Sequence, residues 1–383
     1  MTGRVMIIAG EASGDLHGGR LVAALKRHDP GLEIFGVGGN RMAAEGMQLF
    51  YHVEQLAYIG FVEVARHYFF FRRVFNRLLH EVKTRKPDVV VLIDYPGFNL
   101  RFARAVKKLN VRTFYYIAPQ VWAWGQGRAK KMAAFIDEMA VLFDFEVPFF
   151  SRFGLHTVFV GHPLLEGMEI KKDRNTFFSD HRLNPDAPLL ALLPGSRNQE
   201  ITHLLPVMLE TAARLRHKHP ALQIALSQAS SVQPEKLQTV LAQHPHVRGI
   251  PSDYYELLAY SQAGIVASGT ATLETACAGL PFALVYKVSP LSFALGKRLV
   301  KIPFIGLVNI IAGAGIVKEY LQERAHPDHL LPEIESLLFD EKRREGLMRE
   351  LRRVRNQLGA PGASAKTARL ILEQVKMHQL ETI

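Results

Sequence analysis

The feature that most constrains this chain is a rhythm: short aliphatic and β-branched runs, separated by helical patterns of ten or more residues. The rhythm occurs twice. In the first half RVMIIAG (4–10), EIFGVGG (33–39), PDVVVLIDYPG (87–97), VRTFYYIAP (111–119), MAVLFDFE (139–146) and HTVFVGHPL (156–164) read as strands. Helical patterns such as LHGGRLVAALKRH (16–28) and LRFARAVKKL (100–109, with Asn99 as its cap) lie between them. Strands that need a helix to reach the next strand are parallel, and their near-continuous apolar runs mean burial on both faces. After a polar stretch (171–188) the rhythm restarts with PLLALLPGSR (188–197), ALQIALSQ (221–228), HVRGIPS (246–252), AGIVASGT (263–270) and PFALVYK (281–287), then ends in a helical tail from Pro327. At 383 residues the chain exceeds what one core usually holds. The expected fold is α/β, with two Rossmann-like, doubly wound domains over 1–168 and 169–344. Their strand carboxyl ends are expected to face a cleft, where open α/β sheets bind ligands.

Several chemistries are excluded at once. One cysteine, Cys277, permits neither an intrachain disulfide nor a thiolate cluster, and its apolar run TLETACAGL (272–280) marks it as core filler. The 16 histidines are scattered without H-E-x-x-H spacing, so no metal site is expected, and His162 reads as a satisfied loop histidine. Neither G-x-G-x-x-G, a P-loop lysine nor G-x-S-x-G occurs. The amino terminus has no signal-peptide pattern and no run approaches a membrane span, so a cytoplasmic, soluble or peripheral protein is expected. The net charge of +11 favours anionic partners. Basic residues are dispersed and no nucleic-acid module is present, which leaves phosphorylated metabolites or an acidic membrane face. In RHYFFFRRVF (66–75), Tyr68, Phe69, Phe70 and Phe71 carry cations on both sides, including Arg72 and Arg73. That suits an interfacial helix with rings at the acyl boundary and arginines at headgroups; a core helix with snorkelling arginines is the alternative.

Four turns and one tryptophan-bearing loop hold candidate chemistry. Gly10 to Gly19 runs from the first strand into a helix, and Glu11, Ser13, Gly14 and Asp15 suit phosphate and sugar hydroxyls. Asp94 closes the strand VVVLID and is either a general base at a cleft mouth or a turn aspartate. Trp122 and Trp124 share one loop and suggest a platform for a sugar ring or acyl chain, with Arg128, Lys130 and Lys131 following. In the second half Gly195, Ser196 and Arg197, with Glu200 three positions on, form a phosphate-type turn. Ser268, Gly269, Thr270, Ala271 and Thr272 form another, and Glu274 there either meets ribose hydroxyls or completes a capping box.

Taken together, GEASGDLHG (10–18), YIGFVEV (58–64), LIDYPGFN (92–99), APQVWAW (118–124), VGHPL (160–164), LLPGSR (192–197), SGTATLE (268–274), NIIAG (309–313) and VKEYLQ (317–322) resemble the lipid-A-disaccharide synthase family over nearly the whole chain. The resemblance implies a GT-B architecture, no required metal or other cofactor, and C-terminal helices (about 345–383) that cross back to the first domain. Those helices cover the chain's own first half or that of a second copy, so a homodimer stays open. The implied reaction transfers 2,3-diacylglucosamine from UDP-2,3-diacylglucosamine to 2,3-diacylglucosamine 1-phosphate, at the inner-leaflet membrane surface. It further implies Asp94 as general base, Glu11 beside it on sugar hydroxyls and Arg197 on the departing diphosphate. Ser268 to Thr272 would cradle that diphosphate, Glu274 would hold the ribose, and Asn309 and Gln322 would complete the donor pocket. Gly97 and Gly125 stand where many members carry aspartate and arginine, which leaves Arg128 or Lys131 for phosphate contacts. The other readings are a muramyl-type transferase, a UDP-N-acetylglucosamine epimerase, a nicotinamide dehydrogenase and a non-enzymatic membrane-surface module.

Overall fold

The computed structural model describes residues 2–57, 64–123, 125–228, 234–289, 293 and 303–381. Within them the chain forms two compact units, Met1–Glu166 with Leu358–Ile383, and Gly167–Gln357. In the first unit β1 (Arg4–Ala9), β2 (Glu33–Gly38), β3 (Gln48–His52), β4 (Val89–Ile93), β5 (Arg112–Tyr116), β6 (Glu138–Val141) and β7 (Thr157–Phe159) pair in the order β3-β2-β1-β4-β5-β6-β7. All neighbours are parallel. Alternate strand residues serve opposite faces, as the pleat requires. Met6, Ile8, Val90 and Leu92 join a core with Val74, Leu78 and Val82 of helix Val64–Arg85 and Phe102 and Val106 of helix Pro96–Lys107. The opposite face is covered by helix Ala12–His28 and helix Ala363–Glu381, which pack on each other.

The second unit repeats the plan. Its strands β8 (Leu189–Leu193), β9 (Gln223–Ser227), β10 (Val247–Ile250), β11 (Ala263–Ala267), β12 (Phe282–Tyr286) and β13 (Glu319–Leu321) lie in the order β10-β9-β8-β11-β12-β13, again parallel. In both sheets the order reverses beside the first strand, which makes a topological switch point between β1 and β4 and another between β8 and β11.

Three expectations need correction. The first helix begins at Ala12, not Leu16, so Ser13, Gly14 and Asp15 lie in its first turn. The helix after β4 begins at Pro96, so Asn99 sits inside it and does not cap it. The chain crosses back at residue 358: helix Glu341–Gln357 packs on helices Thr270–Ala278, Leu307–Ala312 and Pro327–Phe339 of the second unit, and only helix Ala363–Glu381 covers the first. Among the described residues no helix is long and apolar enough to cross a membrane.

Candidate active site

In the first unit the switch point gathers two of the turns singled out above. Gly10-Glu11 leaves β1, and Asp94-Tyr95 leaves the neighbouring β4. The two loops touch: a Cβ on Gly10 would lie 2.2 Å from the Tyr95 ring, so only glycine fits. Asp94 and Tyr95 both take left-handed conformations, at φ 45° and 48°. Such geometry in consecutive non-glycine residues costs of order 1–3 kcal/mol each and persists where the surroundings over-determine it. They do so here. The Asp94 N–H donates to the Tyr116 carbonyl (3.0 Å). The Asp94 carbonyl accepts from Tyr115 Oη (2.6 Å) and Asn99 Nδ2 (2.7 Å), and Asn99 also holds the Ile93 carbonyl (3.1 Å). The strained turn is therefore clamped from the neighbouring strand β5 and from the helix that follows the turn.

The clamp fixes a carboxyl with unusual acidity. Burial disfavours the Asp94 anion, the Glu11 carboxylate nearby adds repulsion, and the Tyr95 N–H offsets only part, leaving Asp94 at about 6. A base poised there is ionised at neutral pH yet still basic enough to take a hydroxyl proton. Glu11 is exposed at the start of helix Ala12–His28, with exposed Ser13 beyond it and Gly14 packed against Ala9.

Other residues expected in this unit turn out to be structural. Asp15 is 7% exposed, and its carboxylate accepts the N–H groups of Gly39 (2.7 Å), Arg41 (3.1 Å) and Met42 (3.1 Å), so it caps helix Asn40–Ala44 and does not reach for sugar hydroxyls. Trp122 is a core tryptophan, 8% exposed, not a platform: its Nε1 donates to Glu146 (3.0 Å) and its ring stands edge-on to Phe145. Glu146 also accepts from the N–H groups of Leu142 and Phe143, and burial pushes it up to about 7. Trp124 and Tyr68 lie outside the described side chains, as does most of the segment 58–64. His162 is satisfied, accepting the Leu164 N–H, and burial lowers it to about 3.

On helix Val64–Arg85 the aromatic stretch divides. Phe70 and Phe71 are half-buried against the core, and Phe70 meets Tyr51 edge-on. Phe69 is 75% exposed, and Arg72 and Arg73 are exposed beside it. The core reading therefore holds for Phe70 and Phe71, while Phe69, Arg72 and Arg73 face outward.

In the second unit the switch point gathers the other two turns. Pro194 to Arg197 leaves β8 and enters helix Asn198–Lys218, with Gly195 at φ 101° and the Arg197 side chain 82% exposed. Ser268-Gly269 leaves β11 and enters helix Thr270–Ala278, whose exposed start at Gly269 and Thr270 leads to half-buried Ala271 and buried Thr272. The Thr272 hydroxyl donates to the Gly269 carbonyl (2.8 Å), which stiffens the turn. Glu274 forms no capping box. Its two oxygens accept from Tyr254 Oη (3.0 Å) and Tyr255 Oη (3.4 Å), and burial raises its pKa while those bonds work against the rise. Sequence reasoning missed this tyrosine pair; adjacent tyrosines at a helix start just before β11 are the signal that marks it.

Two expected donor-pocket residues fasten loops. Asn309 is fully buried and holds both backbone groups of Val317 together with Glu319. Gln322 is nearly buried and holds the N–H and carbonyl of Val288. Their polar atoms face inward, so they shape the chain around β13 and present nothing outward. Among the described residues no group of three or more His, Cys, Asp or Glu is placed to hold a metal.

Solved structures share this fold. MurG of Acinetobacter baumannii superposes with a TM-score of 0.61 at 15% identity, covering 97% of this chain and 99% of that one. A UDP-GlcNAc 2-epimerase of Neisseria meningitidis, bound to UDP-GlcNAc, gives 0.65 at 11%, covering 97% and 100%. At such identities the likeness establishes the GT-B type architecture and nothing about substrate. Sequence comparison is more specific. The lipid-A-disaccharide synthase of Syntrophus aciditrophicus is 41% identical over 374 residues, 97% of this chain and 98% of the relative. That of Coxiella burnetii is 39% identical over 367 residues, 96% and 97%. The family model for lipid-A-disaccharide synthetase matches residues 5–373, which takes in both switch points and the first part of the returning helix. By sequence over nearly its full length, and by fold in both units, the chain belongs to the lipid-A-disaccharide synthase family.

Proposed function

We propose that the chain makes the lipid A disaccharide with Asp94 as its general base. The activity is that of its family: an inverting glycosyl transfer that joins 2,3-diacylglucosamine from UDP-2,3-diacylglucosamine to the 6-hydroxyl of 2,3-diacylglucosamine 1-phosphate. The acceptor oxygen attacks the donor anomeric carbon, the bond from that carbon to the diphosphate breaks, and UDP leaves. Asp94 receives the hydroxyl proton, and Glu11 orients sugar hydroxyls beside it. In the second unit Gly195, Ser196 and Arg197 and the helix start at Ser268–Ala271 take up the charge that grows on the departing diphosphate, where preorganised donors are worth most. Glu274, fixed by two tyrosines, accepts from ribose hydroxyls.

The observation that carries the reading is Asp94 itself: a carboxyl buried at a switch point, clamped in a strained turn and raised to about 6. Strain and desolvation at one residue serve chemistry better than stability. We also place the protein peripherally on the anionic cytoplasmic face of the inner membrane, with Phe69, Arg72 and Arg73 at the lipid boundary. Release of UDP, with and without the acceptor, in wild type and Asp94→Asn tests the first reading. Acceptor-dependent release that falls about 10²–10⁴-fold in the variant supports it. Release indifferent to the acceptor points to an epimerase-like reaction, and full activity in the variant removes Asp94 from the base role.

A further inference from the structure

The phosphate-type loop of the second unit already holds an anion, and the anion is the protein's own. Glu200 Oε2 accepts the backbone N–H of Ser196 (3.1 Å) and of Arg197 (3.2 Å), and Glu200 Oε1 accepts from Arg197 Nη1 (2.9 Å). The left-handed Gly195 makes room for it: a Cβ there would lie 2.2 Å from Glu200 Oε2. Two backbone donors, a guanidinium and the amino end of a 21-residue helix are the set that holds a phosphate elsewhere.

We propose that Glu200 sets affinity at the donor subsite: its carboxylate occupies the place of the donor's diphosphate and rotates out when the diphosphate binds. The proposal rests on reading residues 195–197 as the diphosphate loop. Two anions cannot share these donors, because each would be left beside a like charge with too few hydrogens to accept. A ligand must therefore displace a tethered carboxylate that gives up no translational freedom when it returns. A diphosphate, with more charge and more acceptor oxygens than one carboxylate, can win that exchange; a neutral ligand gains nothing from it. On the way out the same exchange runs backwards. As UDP departs, Glu200 takes up the N–H groups and the guanidinium, so release never leaves those donors unpaired.

The alternative roles for Glu200 are to complete the capping box at this helix start or to hold Arg197 in position for the ligand, and neither predicts tighter UDP binding when the carboxylate is removed. Calorimetric titration of the full chain with UDP and with uridine separates them, using wild type, Glu200→Gln, Glu200→Ala and Arg197→Ala. Displacing a helix-start carboxylate corresponds to about a two- to thirtyfold factor in a binding constant. UDP should bind several-fold tighter to both Glu200 variants, with uridine unchanged and product inhibition by UDP tightened in parallel. Glu200→Gln keeps an acceptor oxygen for the helix start, and thermal melting identifies a variant that binds differently only because it has unfolded. Weaker or unchanged UDP binding by a folded Glu200→Gln overturns the proposal and leaves Glu200 as a positioning residue or a simple cap. If Arg197→Ala leaves UDP affinity where it was, the diphosphate-loop reading itself fails, whatever the Glu200 variants do.

Discussion

Glu11→Gln tests how the first unit tunes its base. Asp94 lies about two units above the ordinary 3.8, with burial the larger cause and Glu11 the second. Removing the Glu11 charge should therefore lower Asp94 by about half to one unit, worth roughly 1 kcal/mol. The acid limb of kcat/KM reports the free enzyme, so it should sit near pH 6 in wild type and move down in the variant. At pH 5 about a tenth of Asp94 is ionised in wild type, against roughly a quarter to a half in the variant, a gain of about three- to fivefold relative to plateau. The plateau itself should fall about two- to threefold, because a weaker base removes the proton less readily. The assay is UDP release at limiting donor from pH 4.5 to 8. A profile lowered uniformly, with its limb still near 6, would refute the coupling and leave Glu11 as a sugar ligand alone. A flat profile in wild type would remove Asp94 from the rate-limiting proton transfer.

Two other outcomes follow from the same structure. Asp94 has a folded pKa above its unfolded value, so the stability linked to its proton is complete below about 4 and lost as pH rises through 6. Asp94→Asn should thus unfold at higher urea above pH 6, by up to roughly 3 kcal/mol, while turnover collapses; asparagine also tolerates the left-handed turn, and a destabilised variant would contradict the burial argument. Vesicle co-sedimentation tests the exposed cluster on helix Val64–Arg85. Phe69→Ser with Arg72→Ala and Arg73→Ala should lose about 1 kcal/mol of binding to anionic bilayers per arginine, and undiminished binding would move the lipid contact elsewhere.

The sequence made the architecture legible where strands are buried on both faces. VVVLI and LLALL announce themselves by unbroken apolar content, and the turns at their carboxyl ends supplied Asp94 and Arg197. Two strands escaped. QLFYH is an edge strand, exposed at Gln48 and half-buried at its other four residues, with a register shift opposite Gly36/Val37, so its pattern is neither alternating nor continuous. EYL has three residues, too few for any period. The start of helix Ala12–His28 escaped for another reason: its glycines argue for a loop by propensity. Packing overrules that at Gly14, which lies against Ala9 of β1: a Cβ there would come within 3.1 Å of the Ala9 Cβ. For side chains, sequence names polar residues at turns but not where their atoms go. Asp15, Trp122, Asn309 and Gln322 all sit in motifs, and each is satisfied within the chain by partners 8 to 34 positions away. Glu274 and its tyrosines required the fold to bring helix Thr270–Ala278 and helix Tyr254–Tyr260 together.

The returning helix Ala363–Glu381 has a consequence for how the molecule is made. It buries Ala368, Ile371 and Val375, and Gln374 reaches Glu138 (2.6 Å) across 236 positions of sequence. The half that leaves the ribosome first therefore lacks part of the cover for one face of its sheet, over β4 and β5, until the whole second unit has been synthesised. Folding order and synthesis order are opposed: the later unit can close on its own local pairings while the earlier one waits with apolar surface exposed. Translation that stops anywhere between the two units releases a first unit that is unfinished, whereas the second unit is complete before the last helix appears.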